Sequence, residues 1–297
     1  MSAELLDGKK VAEKVRGEVQ RDVKAWVDNG NRPPFLQVIL VGYDPASSTY
    51  VKAKTRACEE VGIETDSLRL PDTVSAKELK ETIRKFNNDD SVDGILVQLP
   101  LPDHISSNSV IEAIDYKKDV DGFHPMNLGR LAVGEPAFHS CTPAGIFQLF
   151  NYYSIPTKGM HAVVVGASQI VGTPMSIMLS REKGYGKATT TTCHQYTKDL
   201  TKHTIAADLL VVAVGQPGII RGEMVKEGVV VVDVGINRVA DETSEKGYRL
   251  TGDCEFKSVS EKASWITPVP GGVGPMTVAM LMKNTLLSAK SSIYPSD

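Results

Sequence analysis

The chain has 297 residues, 41% of them hydrophobic, which is enough to fill the cores of two ordinary domains. Its formal net charge of −3 provides no overall basic field and argues against nucleic acid or an anionic membrane surface as the main partner. The four cysteines are widely separated and show no CxxC spacing, so neither a disulfide framework nor a metal site is predicted. A small molecule is the expected ligand.

The first ten residues, MSAELLDGKK, carry acidic side chains and no apolar core, unlike a secretion signal or a transit peptide. No run along the chain is both long and apolar enough to cross a bilayer. Together with the cysteine pattern, these features predict a cytoplasmic protein that does not bind membranes.

The first half of the chain alternates helical periodicity with short β-branched runs. The predicted elements are a helix at 9–29, a strand at 35–42, a helix at 44–62, a strand at 67–70, a helix at 75–87 and a strand at 94–100. The βαβαβ order implies a parallel sheet with right-handed crossovers. Ligands of such sheets bind outside the carboxyl ends of the strands, here residues 42–44 and 98–100, so Lys54 and Gln98 are expected to converge.

The helix at 44–62 carries a lysine on its apolar side. At about 100° per residue, Lys54 falls on one stripe with Tyr50, Ala57 and Val61. A lysine withdrawn from water is more readily deprotonated and can act as a base or polarise a carbonyl or a water molecule. Tyr50 lies one turn earlier and is placed to hydrogen-bond it. The alternative is that Lys54 extends along this face and leaves its ammonium in solvent.

Residues 115–127, DYKKDVDGFHPMN, are dense in acids and turn-forming residues. One interpretation is a solvated loop. The other is that Asp119 or Asp121, close to Gly122, supplies a carboxylate that binds the N–H donors of a heterocycle.

The second half begins with a predicted helix at 143–153 and continues with HAVVVGASQIVGTPM (161–175), which indicates a strand, a glycine turn and a helix. In this arrangement a helix N-terminus and loop amides hold a dinucleotide pyrophosphate. The spacing departs from GxGxxG, since Gly166 and Gly172 are present but Ser168 stands where the second glycine would be. Three further β-rich runs at 188–194, 209–215 and 229–235 predict a Rossmann-type domain.

The second strand of this domain ends in CHQY (193–196). An NAD site typically has an acid at this strand end and a 2′-phosphate site has an arginine nearby, and neither rule is met. The polar candidates are Ser168, His194 and Gln195 for the ribose, and Lys198 and Lys202 for a phosphate.

The segment ITPVPGGVGPMT (266–277) is dense in proline and glycine, which is usual for a linker. An amphipathic helix at 278–289 follows it and is predicted to return to the first domain. The alternative to a linker is therefore a loop that lies in the cleft between two domains.

Together these motifs resemble the bifunctional methylenetetrahydrofolate dehydrogenase/cyclohydrolase family. The matching segments are Ser47-x-x-Tyr50-x-x-x-Lys54, VQLPLP (97–102), KDVDGFHPMN (118–127), GASQIVGTPM (166–175) and PVPGGVGPMT (268–277). The resemblance implies an α/β fold with two α/β domains and a cleft. Residues 1–145, completed by a C-terminal helix at 275–297, would bind folate, and residues 146–274 would form the Rossmann-type NAD(P)-binding domain and the contact of a homodimer.

The resemblance also implies the chemistry. A hydride leaves the bridging methylene of 5,10-methylenetetrahydrofolate for the nicotinamide, and water then opens the methenyl product to 10-formyltetrahydrofolate. Lys54 is implied to be the central catalytic group, which activates water and handles protons. Tyr50 would orient the folate by stacking and hydrogen bonding, Gln98 would tune the lysine, and Asp121 would hold the pterin ring.

Further residues are implied to contact the two ligands, and no metal ion is implied. The folate would also be lined by Ser47, Val97, Leu99, Pro100, Pro270, Gly271, Gly272, Val273, Gly274 and Pro275. The cofactor would be bound by Gly166, Ala167, Ser168, Ile170, Val171, Gly172, His194, Gln195, Ala213, Val214, Gly215, Gly235, Ile236, Asn237, Gly274 and Thr277.

The chain departs from the family where the cofactor ribose would lie. Many relatives carry an arginine directly after the first glycine of the turn or in the position of Gln195, and this chain has Ala167 and Gln195. Thr173 also stands where some relatives have arginine. NADP is the family's usual cofactor, and NAD is the alternative.

Two other functions remain open on the sequence. The Rossmann half alone would suit a dehydrogenase of an unrelated carbonyl or amine, although the lysine helix and the PGGVGPMT segment argue against it. A non-catalytic dinucleotide-binding or scaffold protein is the second alternative, and the joint presence of Tyr50, Lys54, Gln98 and Asp121 argues against that.

Overall fold

The computed structural model describes residues 3–184, 186–244 and 247–295. The helices are α1 (Gly8–Asp28), α2 (Pro45–Glu60), α3 (Ala76–Asn87), α4 (Ser107–Ile111), α5 (Pro125–Val133), α6 (Cys141–Tyr152), α7 (Gly172–Ser180), α8 (Leu200–Thr204), α9 (Phe256–Ser260) and α10 (Val273–Ala289). The strands are β1 (Glu4–Leu5), β2 (Phe35–Val41), β3 (Glu64–Leu70), β4 (Gly94–Val97), β5 (His161–Val165), β6 (Thr189–Cys193), β7 (Leu209–Val212), β8 (Val230–Asp233), β9 (Asn237–Ala240), β10 (Tyr248–Thr251) and β11 (Trp265–Ile266). Within the described ranges, none of the helices combines the length and apolar character needed to span a bilayer.

The chain forms two compact units. The first unit contains residues 13–141 and 278–295, and the second contains residues 3–12 and 142–277. The first described residues thus group with the second unit, whereas the sequence prediction assigned the whole of 1–145 to the first domain. The assignment of folate to one unit and cofactor to the other stays a prediction.

The first unit is built on a parallel sheet in the order β3-β2-β4. The predicted βαβαβ pattern is confirmed, because α2 connects β2 to β3 and α3 connects β3 to β4. Helix α3 starts with a capping box in which Ser75 and Glu78 satisfy each other's backbone N–H groups. Its buried face packs Leu79 and Ile83 onto the β2 and β4 core residues Ile39 and Ile95.

The second unit contains a six-stranded parallel sheet in the order β1-β11-β8-β7-β5-β6. Strands β7 and β8 are buried throughout, as expected for a parallel sheet covered on both faces. The chain leaves β5 toward β6 on one side, and it continues from β7 toward β8 on the other. This reversal is the switch point at which Rossmann-type sheets bind dinucleotides, and it confirms the predicted fold class.

Two segments differ from the sequence prediction. Helix α5 (Pro125–Val133) occupies the end of a segment for which a solvated loop was one interpretation, and His124 caps it by accepting a 3.0 Å hydrogen bond from the Met126 N–H. Helix α10 starts at Val273 and not at 278. Gly274 and Pro275 fall in its first turn, where the backbone N–H groups have no partner inside the helix, so a proline costs little there.

Candidate active site

Lys54 projects from α2 and ends on a side chain at the carboxyl edge of β4. Its Nζ donates a 3.1 Å hydrogen bond to Oε1 of Gln98, the residue that follows β4. The Gln98 Nε2 donates to the carbonyl oxygen of Leu99 at 2.6 Å, and this fixes the amide oxygen toward the lysine. The two side chains converge as the sequence predicts. Lys54 is half-buried, and its role as the catalytic group stays a prediction.

Tyr50 lies one turn before Lys54, with 46% of its surface exposed. Within the part of the chain that the structure describes, no hydrogen bond joins the two side chains, so the expected Tyr50–Lys54 contact is absent. Ser47 is buried, and its backbone N–H donates a 2.6 Å hydrogen bond to the side-chain carboxylate of Asp44, the N-cap residue of α2. The exposed phenol ring of Tyr50 is therefore free to stack against a planar ligand.

Asp119 has a structural role in its own segment. Its carboxylate accepts hydrogen bonds of 2.8 Å from the His124 N–H and from Nδ2 of Asn127, and the residue is almost completely buried. Burial raises the pKa of Asp119, and these hydrogen bonds oppose the rise. The segment is therefore a buried network and not a solvated loop, and Asp119 has little capacity left for a ligand.

Asp121 behaves differently from Asp119. No side chain or backbone N–H among the described residues donates a hydrogen bond to its carboxylate, and the residue is partly accessible. Burial by the surrounding protein raises the pKa of Asp121 to about 6, while the charge of Lys54 lowers it and that of Asp119 raises it further. An accessible acid with unused acceptor atoms can bind the N–H donors of a heterocycle.

The position of Asp121 is fixed through its neighbours. The Ile95 N–H of β4 donates to the Lys118 carbonyl at 2.9 Å, so this segment runs beside the strand that leads to Gln98. From α10, Nδ2 of Asn284 donates to the carbonyl of Val120 at 2.8 Å. Gly122 has φ +73°, and a Cβ there would lie 2.5 Å from the His139 carbonyl carbon, so only glycine fits after Asp121.

In the second unit, the turn after β5 is packed too closely for side chains. A Cβ at Gly166, which has φ +123°, would lie 2.3 Å from the carbonyl oxygen of Ala213. A Cβ at Gly172 would lie 2.0 Å from the carbonyl oxygen of Gly166. Oγ of Ser168 accepts from the N–H groups of Val171 and Gly172 at 3.2 and 3.4 Å, at the start of α7. This is a tight glycine turn that leads into a helix N-terminus, which suits a pyrophosphate.

Eight of the other residues predicted to bind the cofactor follow the carboxyl ends of neighbouring strands, whereas Gly274 and Thr277 lie in α10. The eight residues are His194 and Gln195 after β6, Ala213, Val214 and Gly215 after β7, and Gly235, Ile236 and Asn237 after β8 or at the start of β9. The side chains of Ala167 and Gln195 are exposed at this edge, and neither is a cation. These eight residues are thus brought to one edge of one sheet.

The PVPGGVG segment is packed and is not a free linker. Within the second unit, the Lys9 N–H of α1 donates to the Gly271 carbonyl at 3.1 Å, and a Cβ at Gly8 would lie 1.6 Å from the Gly272 carbonyl oxygen. Thr277 shares a 2.9 Å hydrogen bond with Thr142 through their hydroxyl groups. The predicted contacts of residues 270–275 with folate stay a prediction.

Two buried acids at the same sheet edge were missed by the sequence analysis. Asp233 ends β8 and is 4% exposed, and Asp253 follows β10 and is 0% exposed. A signal for the first was present in VVVVDVG, where an acid interrupts an otherwise apolar strand. Asp253 lies in a polar stretch and carries no such signal.

Two parts of the chain match models of one protein family. Residues 6–121 match the model of the tetrahydrofolate dehydrogenase/cyclohydrolase catalytic domain, and residues 140–293 match that of the NAD(P)-binding domain of the same family. The bifunctional protein FolD of Bacteroides thetaiotaomicron is 51% identical over 290 residues, which cover 98% of this chain and 99% of that protein.

Solved structures show the same fold over the whole chain. The bifunctional enzyme FolD, a methylenetetrahydrofolate dehydrogenase/cyclohydrolase from Campylobacter jejuni, has a TM-score of 0.91 and 49% identity, with coverage of 98% of this chain and 100% of that one. The methylenetetrahydrofolate dehydrogenase-cyclohydrolase of Trypanosoma brucei, complexed with NADP cofactor and an inhibitor, has a TM-score of 0.92 and 36% identity, covering 99% and 100%.

Proposed function

The chain belongs to the tetrahydrofolate dehydrogenase/cyclohydrolase family, and from this premise we propose that Lys54 is the central catalytic group of its bifunctional site. The enzyme oxidises 5,10-methylenetetrahydrofolate to 5,10-methenyltetrahydrofolate with a nicotinamide dinucleotide and hydrolyses the methenyl form to 10-formyltetrahydrofolate. The observation that carries the proposal is the convergence of Lys54 and Gln98 beside a segment that carries Asp121, whose carboxylate accepts no hydrogen bond from the described residues.

Lys54 handles the protons of the hydrolytic step. Water adds to the methenyl carbon, one proton leaves the attacking water, and the bond from that carbon to N5 breaks to leave the formyl group on N10. Lys54 accepts one proton of the water and passes it to N5 as the carbon–N5 bond breaks. The second proton of the water leaves to solvent as the hydroxyl becomes the formyl carbonyl, and its release balances the positive charge of the methenyl cation. Gln98 holds the Nζ atom in place for this exchange through its amide oxygen, which is 3.1 Å away.

The folate is held from the same unit. Asp121 accepts hydrogen bonds from the pterin ring, since its carboxylate has no donor among the described residues and Lys54 lies close enough to affect its charge. The exposed ring of Tyr50 stacks on the substrate. The assignment of Ser47, Val97, Leu99, Pro100 and residues 270–275 to the folate rests on the family resemblance alone.

NADP is the proposed cofactor, and NAD is the alternative. The glycine turn at Gly166 and the N-terminus of α7 provide backbone donors for the pyrophosphate. The Trypanosoma brucei relative is complexed with NADP. Bound cofactor would accept the hydride at the nicotinamide ring. The ribose end of the site supplies no arginine in the positions of Ala167 and Gln195, so selection against NAD is expected to be weak.

The proposal also covers the oligomeric state and the cellular compartment. The protein would act as a homodimer through its second unit, as the family resemblance implies, and it would reside in the cytoplasm. The second point is supported by the four cysteines, which are all free and buried, as is usual in a reducing compartment.

A steady-state assay tests the proposed function. The purified protein is mixed with 5,10-methylenetetrahydrofolate and either NADP⁺ or NAD⁺, and the absorbance of the methenyl product is followed over time. We expect the methenyl form to appear and then to decay to 10-formyltetrahydrofolate. In parallel assays, hydride transfer only to an unrelated carbonyl or only from an unrelated amine would favour the ordinary dehydrogenase. Dinucleotide binding without any folate turnover would favour the non-catalytic alternative.

A further inference from the structure

Asp253 joins two loops at the carboxyl edge of the second unit's sheet. Its Oδ2 accepts hydrogen bonds from the N–H groups of Val214 at 2.8 Å and Gly215 at 3.0 Å, directly after β7. Its Oδ1 accepts a 2.9 Å hydrogen bond from Nδ2 of Asn237, which begins β9. One fully buried carboxylate therefore fixes the two loops that contain six of the residues predicted to bind the cofactor, 213–215 and 235–237.

A second acid holds Asp253 in place. Oδ1 of Asp233, at the end of β8, accepts hydrogen bonds from the N–H groups of Asp253 at 2.9 Å and Gly235 at 3.1 Å. Oδ2 of the same side chain accepts from the Cys254 N–H at 2.8 Å. Burial raises the pKa of Asp233 to about 6, and the hydrogen bonds from Cys254 and Asp253 oppose this rise. The two carboxylates thus form a continuous chain from the sheet to the loops.

The neighbouring glycines leave room for these acids. A Cβ at Gly235 would lie 2.2 Å from Oδ1 of Asp253, and a Cβ at Gly252 would lie 1.8 Å from Oδ2 of Asp233. Any larger residue at either position would displace a carboxylate. The glycines in DVG (233–235) and GDC (252–254) therefore provide the space that the two carboxylates occupy.

A purely structural role is the competing explanation, since Asp253 also ties the β9–β10 hairpin to the sheet. The placement of its partners favours a role in cofactor binding. Val214 and Gly215 follow Ala213, whose carbonyl oxygen is the atom that excludes a side chain at Gly166. The groups that Asp253 holds therefore adjoin the switch point of the sheet, where the dinucleotide binds.

We propose that Asp253 is a positioning residue for the dinucleotide. It holds the 213–215 and 235–237 loops in the arrangement that accepts the cofactor, and it acts through those loops because its own side chain is buried. The inference rests on the proposed function, in which these loops contact NADP. It predicts that loss of the carboxylate weakens the dinucleotide and the dehydrogenase reaction selectively. The cyclohydrolase reaction needs no dinucleotide and should be spared.

The test compares two variants of Asp253 with a matched control. Asp253→Ala removes all three acceptor contacts, whereas Asp253→Asn keeps the amide oxygen for the Val214 and Gly215 N–H groups. Asp208→Ala is the control, because the Asp208 carboxylate accepts a 2.8 Å bond from the His161 N–H and pairs with Lys226 in the same unit, but before β7 at the amino edge. Binding of NADPH is measured by fluorescence titration, and both activities are measured separately.

We expect Asp253→Ala to weaken NADPH binding by about 10-fold or more, since both loops lose the charged acceptor that holds them. Cyclohydrolase kcat and KM should stay within about twofold of the native enzyme, an interval below 0.5 kcal/mol. Asp253→Asn should recover most of the NADPH affinity, and Asp208→Ala should leave it unchanged.

Several results would overturn the inference. Unchanged NADPH affinity in folded Asp253→Ala, an equal loss of both activities, or the same loss of affinity in Asp208→Ala would each show a merely structural role. If Asp253→Ala does not fold, Asp253→Ser, which also removes the carboxylate, tests the same link, and unchanged NADPH affinity in that variant overturns the inference. Failure of the native protein to bind any nicotinamide dinucleotide would instead refute the proposed function.

Discussion

The ammonium of Lys54 donates a 3.1 Å hydrogen bond to the amide oxygen of Gln98, and this contact links α2 to the carboxyl end of β4. An amide oxygen is a neutral acceptor. It orients the lysine without the strong preference for a charged lysine that a carboxylate would impose. The arrangement therefore fixes the position of Nζ.

Replacement of Lys54 by methionine should abolish most cyclohydrolase activity. A positioned acid/base group commonly contributes about 10²–10⁴-fold to the rate, so we expect a loss in that range with the fold retained. Hydrolysis of methenyltetrahydrofolate is measured by absorbance, and folding by circular dichroism. Lys52→Met is the matched control, because Lys52 is an exposed lysine of the same helix. Near-normal hydrolysis by folded Lys54→Met would refute the assignment.

Replacement of Gln98 by glutamate tests the neutral acceptor. A carboxylate at this distance favours the charged form of the lysine, so we expect slower hydrolysis at neutral pH and a pH–rate profile displaced to higher pH. Gln98→Met, which has a similar length and no strong acceptor, separates loss of the hydrogen bond from added charge. Identical pH–rate profiles for the native enzyme and Gln98→Glu would show that Gln98 does not tune the lysine.

Replacement of Asp121 by alanine should weaken folate without affecting the cofactor. Loss of a charged hydrogen-bond partner in a buried site costs about 1.5–3 kcal/mol, or about 10- to 150-fold in affinity. Both activities should fall through the folate, while NADPH binding stays at the native level. Titration calorimetry with a folate ligand measures the effect, and unchanged folate affinity would contradict the role assigned to Asp121.

The raised pKa of Asp121 also predicts how stability depends on pH. The folded pKa is about 6 against an ordinary 3.8, so between these values the unfolded chain ionises while the folded protein resists. The contribution of Asp121 to stability is therefore greatest below pH 4 and is lost as pH rises through 6. Asp121→Asn cannot ionise, and it should gain up to about 3 kcal/mol relative to the native protein between pH 4 and pH 7.5.

Denaturant unfolding at pH 4.5, 6 and 7.5 measures this difference. Asp233, whose pKa is also raised to about 6, is common to both proteins and cancels in the comparison. A stability difference between Asp121→Asn and the native protein that does not change with pH would show that Asp121 is not destabilised by burial. The ionised acid accepts pterin N–H bonds more strongly than the neutral acid does, so folate binding by the native enzyme should weaken below about pH 6.

Local patterns were sufficient to predict most of the fold and part of the site. The lysine helix, the strand before Gln98 and the glycine turn at Gly166 follow from residue periodicity and from short-range turn chemistry. The two interpretations of residues 115–127 could not be separated, because the answer depends on which N–H groups reach Asp119 and on Asn284 from the far end of the chain.

The role of Asp253 could not be predicted from the sequence. Its partner Val214 is 39 residues away in the sequence, and Asp253 itself stands in a polar stretch after a strand that the sequence analysis did not predict. No periodicity connects an acid to backbone N–H groups so distant in the chain. Only the tertiary structure shows that the two loops are held by one carboxylate.

The choice between NADP and NAD is the final prediction. A 2′-phosphate is bound most effectively by a guanidinium, and the exposed positions that supply one in many relatives hold Ala167 and Gln195 here. Neither Ala167 nor Gln195 is an acid that would repel the phosphate, and discrimination should therefore be weak. We expect a kcat/KM ratio for NADP over NAD below about 10²-fold, because one missing charged contact is worth about 1.5–3 kcal/mol.

Gln195→Arg should shift this ratio toward NADP, and its cyclohydrolase rate, which needs no dinucleotide, serves as the internal control. The exposed Lys198 and Lys202 are the remaining cations that could contact the phosphate, and they are tested by Lys198→Met and Lys202→Met. Initial rates with each cofactor at saturating folate give the ratios. A native enzyme that strongly prefers NADP, with neither lysine variant changing that preference, would show that other groups bind the 2′-phosphate.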